Sequence, residues 1–330
     1  MRLVVAGSPA AAVPTLRRLA ASDHEIAAVL TRPPTPQGRK RVLTPTPVAQ
    51  VAEELGLPVV EATRVDDAVT AQLRDLHADL GVIVAYGALL RRPALDAPRL
   101  GWVNLHFSAL PAYRGAAPVQ RAVMAGDTRT AATVFQLVEA LDAGPVYASD
   151  PFDIDPEATA GEVLAAMAET GADTVARVVD GLAAGTAVAV EQVGEPTTAP
   201  KTTIADGHVD FGRSAAAVHA HLRGVTPEPG AYAHLADTRV KLLRSRRSGA
   251  TPPVPDRRVS GGQAVPAGRD TSASATPLAP GALGLVDGRL LVGTADEPLE
   301  LLEVQPAGKK PMDAAAWARG LGALDGKVLS

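Results

Sequence analysis

Asn104 and His106 stand two residues apart near the end of an apolar run, GWVNLHF, at 101–107. Residues i and i+2 of a β-strand point to the same face, about 6.6 Å apart along the chain. If this run is a strand, an amide and an imidazole therefore converge on one spot. Such a pair can stabilise an oxyanion and move a proton. Taken alone, such a pair is more often a polar strand end whose side chains are hydrogen-bonded.

Asp142 adds a carboxylate from the loop VEALDAGPV at 138–146. This loop lies between two predicted strands and can return to the same edge of the sheet. A carboxylate beside an imidazole fixes its tautomer and raises its pKa. The three residues include no Ser or Cys nucleophile, so they do not form an acyl-enzyme triad. They suit a reaction in which the substrate supplies the nucleophile, although an Asp in this setting, taken alone, is more often a turn residue before Ala-Gly.

The elements that would position these groups alternate between apolar runs and amphipathic segments. Apolar runs predict strands at 2–7, 24–31, 57–62, 79–87 and 101–107. Two more strands are expected around the loop at 138–146, and a long helix over 156–185. Strands alternating with helices predict an α/β fold with a Rossmann-like, doubly wound, mostly parallel sheet. Its ligand site should lie outside the carboxyl ends of central strands.

A second module follows a stretch rich in Pro and Thr at 193–203. Short apolar runs predict its strands at 209–211, 231–235, 239–243, 282–294 and 299–304. The Asp-Gly pair in VDGRLLV is typical of a β-hairpin. We expect a smaller, OB-like β-barrel. The predicted organisation is a first domain at 1–190, a linker at 191–204 and a second domain at 205–330. Within the second domain, we expect a flexible insertion at 245–281.

Composition excludes several classes of protein. The 330 residues contain no cysteine, so disulfides and thiolate metal sites are ruled out. No apolar run reaches the roughly 18 residues of a membrane helix, and the N-terminus does not resemble a signal peptide. We therefore expect a cytoplasmic protein, without a membrane partner. Residues 1–200 carry 16 Lys and Arg against 23 Asp and Glu, and residues 201–330 carry 16 against 13. This change of sign is compatible with a polyanion bound by the second module and, equally, with chance variation on a solvated surface.

The sequence resembles the folate-dependent formyltransferases over nearly its whole length. NLHFSALPAYRGAAPVQRAVMAGD, at 104–127, is followed by LDAGPV at 141–146, and together these are similar to the signature of that family. PQGRKR, YRGAAPVQRA and QPAGKKPM narrow the resemblance to members that act on methionyl-tRNA. The poorest match is the segment 245–281.

The resemblance implies a formyl donor, 10-formyltetrahydrofolate, and an acceptor, the α-amine of initiator methionyl-tRNA. It places the family's catalytic residues on Asn104, His106 and Asp142. Asn104 and His106 would hold the developing oxyanion, and Asp142 would orient His106 and help to remove the amine proton. The implied folate-binding residues are Val84, Tyr86, Gly87, Ser108, Ala109, Leu110, Pro111, Leu137 and Leu141.

The basic loop TRPPTPQGRKR at 31–41 is the implied contact to the tRNA acceptor stem. Phosphates supply salt-dependent affinity, and a few side chains sense bases. By default such a loop is a solvated surface, and each single cation is a plain surface charge. The implied tRNA-binding residues are Arg32, Arg39, Lys40, Arg41, Lys201, Arg223, Lys309 and Lys310. Arg114 either orients the methionyl-adenosine end or pairs with a carboxylate.

Some positions depart from the family's pattern. Phe107 stands where the family often has Gly, Pro145 where it has Asp, and Ala10 where it has an acidic residue. A bulky Phe107 must find room beside the catalytic strand. The departures leave the three catalytic positions intact.

Two other functions are compatible with parts of the pattern. A sugar-nucleotide N-formyltransferase would share the first domain, but the basic loop and QPAGKK favour tRNA. A non-catalytic RNA-binding protein would not need Asn104, His106 and Asp142 together. A glycinamide-ribonucleotide enzyme is expected to lack a second domain, and a dehydrogenase would need GxGxxG where this chain has Gly7-Ser-Pro. We expect a monomer with neither a DNA partner nor a metal site.

Overall fold

The computed structural model describes residues 1–38, 40–247 and 278–330. Two compact units form, Met1–Thr202 and Thr203–Ser330. Arg39 and most of the predicted insertion at 245–281 lie outside the described residues. The segment 191–202, which the sequence marks as a linker, lies within the first unit.

The first unit is built on a seven-stranded sheet with the order β5-β2-β1-β6-β7-β8-β9. Pairing is parallel from β5 to β7 and antiparallel for β8 and β9, which confirms the predicted mostly parallel, doubly wound sheet. Its strands are β1 (Arg2–Gly7), β2 (Glu25–Thr31), β3 (Thr35–Gln37), β4 (Val42–Thr44), β5 (Val59–Glu61), β6 (Leu80–Val84), β7 (Trp102–His106), β8 (Arg129–Gln136) and β9 (Val146–Asp153). The strands β3 and β4 form a separate hairpin.

Helices cover both faces of this sheet. They are α1 (Val13–Ala20), α2 (Pro47–Glu54), α3 (Asp67–Asp75), α4 (Arg92–Leu95), α5 (Pro118–Ala125) and α6 (Ala160–Ala184). Alternate residues of β1 enter opposite cores: Leu3 and Val5 pack in one cluster, Val4 and Ala6 in the other. Burial on both faces explains why these strands are continuous apolar runs rather than alternating ones.

Local signals explain where the helices begin and end. The long helix α6 begins with a capping box, in which Thr159 and Glu162 satisfy each other's backbone N–H groups. It ends at Gly185, whose φ of 69° lies in the left-handed region that favours glycine. Asp66 caps α3 through its side chain. The Thr159 cap accounts for the start of α6 at Ala160, four residues after the predicted start at 156.

The strand β7 is held against β6 by a close contact. Gly81 of β6 lies beneath the buried Trp102 ring, which would lie 2.0 Å from a Cβ at that position. The Trp102 indole N–H donates to the carbonyl of Ala94 at 2.8 Å. This packing fixes the strand that carries Asn104 and His106.

The second unit is an antiparallel sheet with two helices. Its order is β10-β11-β14-β13-β12, with β15 paired to β14. The elements are α7 (Ala215–Gly224), β10 (Tyr232–Leu235), β11 (Thr238–Arg247), β12 (Leu283–Val286), β13 (Arg289–Val292), β14 (Leu299–Pro306), β15 (Met312–Asp313) and α8 (Ala314–Gly320). The predicted hairpin is present, with Asp287 and Gly288 at φ 50° and 76° between β12 and β13.

The C-terminal residues link the two edges of this second sheet. Leu329 bridges Leu235 on β10, while Val328 bridges Ala282 just before β12. This closure agrees with the predicted barrel, because closing a sheet removes its exposed edges.

The predicted strand at 209–211 is wrong. Val209 and Phe211 are buried, but Asp210 accepts a hydrogen bond from the Gly212 N–H at 2.9 Å and turns the chain. A run of three residues with an apolar side chain at each end is too short to distinguish a buried turn from a strand. Among the described helices, none has the length and apolarity to cross a membrane.

Candidate active site

Asn104 and His106 lie in the carboxyl-terminal half of β7. Asn104 is opposite Ile83 on one side and Phe135 on the other, and His106 is opposite Thr133. Strand alternation puts both side chains on one face of the sheet. His106 is 6% exposed, and its ring meets Phe135 edge-on. Phe107 points the other way, into the core with Val103 and Leu105.

The two nitrogens of His106 have different surroundings. Nε2 lies 2.9 Å from the carbonyl oxygen of Tyr113, which accepts but cannot donate. The Nε2 atom therefore carries a proton, and Nδ1 is the nitrogen that remains for chemistry. Nδ1 lies 3.8 Å from Oδ2 of Asp142, a charge contact that is too long for a hydrogen bond.

Burial dominates the acidity of His106. Burial lowers the pKa of His106 below its usual range, while the Asp142 carboxylate and the Tyr113 carbonyl act to raise it. The imidazole is consequently neutral near pH 7, with a lone pair on Nδ1. The carboxylate is placed to stabilise the imidazolium once that nitrogen takes a proton.

Asp142 is held by backbone rather than by the histidine. Its Oδ2 accepts a hydrogen bond from the Gly115 N–H at 2.7 Å, and its own φ is 46°. Gly115 has a φ of 126°, and a Cβ there would lie 2.7 Å from the carbonyl oxygen of Ala199. Glycine is therefore required at 115, and it presents its N–H to the carboxylate.

Asn104 has an unused hydrogen-bonding atom. Its Oδ1 is buried and has no hydrogen-bond partner among the described residues. A buried polar atom without a partner costs free energy, so a ligand that donates an N–H to it would be favoured. The side-chain NH2 of the same amide can donate to an oxyanion.

The turn after β7 is rigidly tied. Ser108 donates to the carbonyl of Ala112 at 2.6 Å, and Thr133 donates to the carbonyl of Ser108 at 2.7 Å. The Tyr113 hydroxyl donates to Asp127 at 2.8 Å. Burial and Asp127 raise the pKa of Tyr113 to about 12. This network holds the Tyr113 carbonyl that binds His106.

The predicted folate-binding residues divide into two groups. Most are buried or half-buried: Val84, Tyr86, Ser108, Leu110, Pro111 and Leu137. The others are exposed: Gly87, Ala109 and Leu141. Tyr86 turns inward and donates to the Ala62 carbonyl at 2.8 Å, so its ring is part of the core.

A cavity of about 660 Å³ opens at the carboxyl edge of the sheet. The loops after β5 and β6 line it, over 63–67 and 87–91 among others. Gly87 is at its wall, and the Gly87 carbonyl accepts a hydrogen bond from the Arg32 guanidinium at 2.7 Å. Leu89 is 73% exposed at this wall, and Leu141 is 61% exposed in the loop of Asp142.

The predicted tRNA-binding residues are not all surface charges. Lys40 and Arg41 are exposed at the turn of the hairpin β3–β4, while Arg39 lies outside the described residues. Lys201 is exposed in the first unit, and Lys309 and Lys310 are exposed in the turn after β14. Arg223 is 7% exposed in α7, which leaves little of its surface for a phosphate.

Three supporting residues were missed in the sequence. The carbonyl of Tyr113 and the N–H of Gly115 act through backbone, which no residue type reveals. Gln192 stands in the segment interpreted as a linker and hydrogen-bonds to the carbonyls of Asp142 and Gly144. The one available signal is a lone amide just before a Pro/Thr-rich stretch, and that is too weak to identify a function.

Comparison with known proteins yields two family matches. Residues 1–179 match the formyl transferase model, and residues 201–322 match the model for the formyl transferase C-terminal domain. Similar proteins include the methionyl-tRNA formyltransferases of Clavibacter sepedonicus, 53% identical, and of Clavibacter michiganensis subsp. michiganensis (strain NCPPB 382), 52% identical. Each alignment covers 98% of this chain and 99% of the relative.

The fold also resembles solved structures at low sequence identity. The N-formyltransferase from Helicobacter canadensis, in complex with folinic acid and dTDP-3-aminofucose, is 13% identical with a TM-score of 0.65. The match covers 91% of this chain and 98% of that one. At this identity the likeness concerns the fold alone.

Proposed function

The chain belongs to the formyl transferase family, and we propose that it transfers a formyl group from 10-formyltetrahydrofolate to the α-amine of initiator methionyl-tRNA. The observation that carries the proposal is the 3.8 Å approach of His106 Nδ1 to Asp142 at the end of the strand that carries Asn104. Relatives named methionyl-tRNA formyltransferase, at about half identity over nearly the whole chain, support the acceptor.

His106 acts first as the base. Neutral Nδ1 takes a proton from the attacking amine while the amine nitrogen bonds to the formyl carbon. The resulting imidazolium is stabilised by the Asp142 carboxylate. The Nδ1–H then donates to the oxyanion and finally returns the proton to the leaving nitrogen as the old carbon–nitrogen bond breaks. No net proton is consumed by the protein.

Asn104 supplies the second polar contact. Its NH2 donates to the oxygen on which charge develops, and its buried Oδ1 accepts an N–H from the incoming amine. This assignment uses both ends of the amide, and it gives the unpartnered oxygen a role in orienting the nucleophile.

The formyl donor supplies an activated one-carbon unit. Residues of the chain fit such a molecule because Leu89, in the cavity wall, and Leu141, in the loop of Asp142, leave large apolar surface exposed, as a flat ring system requires. Gly87, at the wall of the cavity, offers backbone that a ring can approach closely. We assign the donor to the loops after β6, β7 and β8.

The hairpin β3–β4 binds the acceptor. Exposed Lys40 and Arg41, together with Arg39 and Arg32, contact phosphates near the tRNA end. From the second unit, Lys309 and Lys310 are the candidates with exposed side chains. The buried Arg223 is a poor candidate for direct contact.

One experiment tests the reaction against its main alternative. Purified protein is given labelled 10-formyltetrahydrofolate with either methionyl initiator tRNA or a dTDP-amino sugar, and the formylated product is identified. We expect transfer to the tRNA. Transfer to the sugar instead would favour a sugar-nucleotide N-formyltransferase, the alternative that the sequence of the first domain leaves open. Transfer to neither would reject the proposal.

The proposal also includes the compartment and the assembly state. A tRNA acceptor and a chain without cysteine fit the reducing cytoplasm. The three proposed catalytic residues come from one chain, so a monomer suffices. Light scattering of the purified protein tests this, and a dimer would show the monomer assignment to be wrong.

A further inference from the structure

The segment after α6 binds both loops of the active site. Val190 forms two backbone hydrogen bonds with Val146, of 2.7 and 2.9 Å. Further along, Arg114 donates from its backbone to Thr197 at 2.8 Å, and Ala199 donates to Arg114 at 2.7 Å. This segment, 190–199, is therefore a strap across the loop that follows β7 and the loop that precedes β9.

Gln192 makes the side-chain contacts of the strap. Its Nε2 donates to the carbonyl of Asp142 at 2.8 Å and to that of Gly144 at 2.9 Å. Its Oε1 accepts from the Arg114 guanidinium, at 2.6 Å from Nη2 and 3.2 Å from Nε. One amide thus joins the residue that carries the carboxylate to the residue that precedes Gly115.

We propose that Gln192 is a positioning residue for the formyl transfer, holding Asp142 and the Gly115 N–H in the arrangement that faces His106. The proposal rests on the function proposed above. Asp142 has a left-handed φ and depends on external contacts to keep that conformation. Its carbonyl is bound by Gln192 and its carboxylate by Gly115, so both ends of the residue are fixed.

The chemistry of the side chain explains why this position needs an amide. Two carbonyl oxygens must be bound by donors, and a guanidinium must be bound by an acceptor. A glutamine offers both at its tip, whereas a glutamate offers acceptors alone. The neighbouring Val193 is 87% exposed, so it provides a matched position on the same strap without these contacts.

Three variants separate the roles of the amide. Gln192→Ala removes all its contacts, Gln192→Glu keeps the Arg114 contact but loses both donations, and Val193→Ala is the control. We expect kcat of Gln192→Ala to fall about 100-fold, as for a displacement of roughly 1 Å at a reacting group. We expect Gln192→Glu to fall at least as far, and Val193→Ala to match the wild type. KM for both substrates should stay unchanged.

A second readout distinguishes positioning from general support. The His106 ring is titrated by NMR, with its signal assigned by comparison with His106→Asn. In Gln192→Ala the Asp142 carboxylate should no longer be held near Nδ1, so the pKa of His106 should fall below its wild-type value. A merely structural role would lower the melting temperature and leave this titration unchanged.

Each outcome decides the matter. A wild-type kcat in Gln192→Ala overturns the proposal, as does an active Gln192→Glu beside an inactive Gln192→Ala, which would assign the effect to Arg114 alone. A lost activity with an unchanged His106 titration also overturns it. If the wild type transfers no formyl group, the proposed function fails, and the titration still tests whether Gln192 positions Asp142.

Discussion

The end of β7 and the hairpin β3–β4, both in the first unit, differ in how strongly their functional side chains are buried and held. Around the end of β7, His106 of that strand and Asp142 of the loop after β8 are buried, and each is held by a backbone group of the loop that follows β7. On the hairpin, Lys40 and Arg41 are exposed at a turn, and Val42 and Leu43 are 59% and 67% exposed. The first region is constrained by hydrogen bonds from separate parts of the chain, and the second is constrained mainly by its own strand pairing.

This difference indicates which region stabilises the transition state and which region binds the polyanionic acceptor. Groups that act on developing charge must be in place before it develops, because reorganising them would add to the barrier. Groups that attract a polyanion act over a Debye length and tolerate displacement. Substitutions at the end of β7 should therefore change kcat, while substitutions on the hairpin should change affinity and its dependence on salt.

The largest expected effect is that of His106→Ala. Removing one group that stabilises an oxyanion typically lowers the rate about 100- to 1000-fold, and His106 is also the proposed base. Single-turnover formyl transfer at saturating tRNA measures this. Binding of tRNA, followed by filter retention, should be unchanged. A His106→Ala protein with wild-type kcat would contradict this division of roles, because the constrained region would then have no catalytic role.

An intermediate effect is expected from Asp142→Asn, and it has a pH signature. The proposed base must be neutral, so kcat/KM is lost as pH falls through the pKa of His106. Burial lowers that pKa, which places the loss below pH about 6.5. Asp142 raises it, so Asp142→Asn should move the acid limb to lower pH while the plateau falls about 100-fold, at least as far as when Asp142 is only displaced.

The profile of Asp142→Asn against pH has a clear contrary result. An acid limb that moves to higher pH, or that stays in place while the plateau falls, would mean that the Asp142 charge does not act on His106. The variant is nearly isosteric, so the hydrogen bond from Gly115 can persist. Circular dichroism of the variant confirms that the fold is retained.

The two regions also differ in how far the sequence predicts them. The i, i+2 spacing of Asn104 and His106 in an apolar run correctly placed both in β7, because strand alternation is a strong local rule. The sequence predicts only a loop over 31–41, because three prolines and a glycine give no alternating pattern. The structure instead forms the hairpin β3–β4, in which Val42 and Leu43 are exposed. Local patterning is informative where a face is buried, and uninformative where both faces meet water.

Contacts between distant loops are the part that no pattern predicts. Gln192 reaches Asp142 across 50 positions of sequence, and Gly115 reaches it across 27. In the second unit, the pairing of His234 with Ser330 depends equally on tertiary structure. Each of these contacts involves at least one backbone atom, and every residue type supplies backbone atoms. The sequence therefore identifies the carboxylate of Asp142 but not the groups that bind this residue.

The smallest expected effect is that of removing two charges from the hairpin β3–β4, and it tests most directly whether the two regions have separate roles. The double variant Lys40→Ala, Arg41→Ala removes two exposed cations from the hairpin, and we expect KM for tRNA to rise a few-fold at physiological salt with kcat unchanged. Each lost phosphate contact should reduce the slope of log affinity against log salt by about 1. The matched control Arg17→Ala, Arg18→Ala removes the same charge from α1, where each guanidinium pairs with a carboxylate.

If both double variants change KM and slope equally, the hairpin contributes net charge alone and has no specific contact with tRNA. If the hairpin variant instead lowers kcat at saturating tRNA, its charges help to position the acceptor, and the division between a constrained catalytic region and a tolerant binding region does not hold.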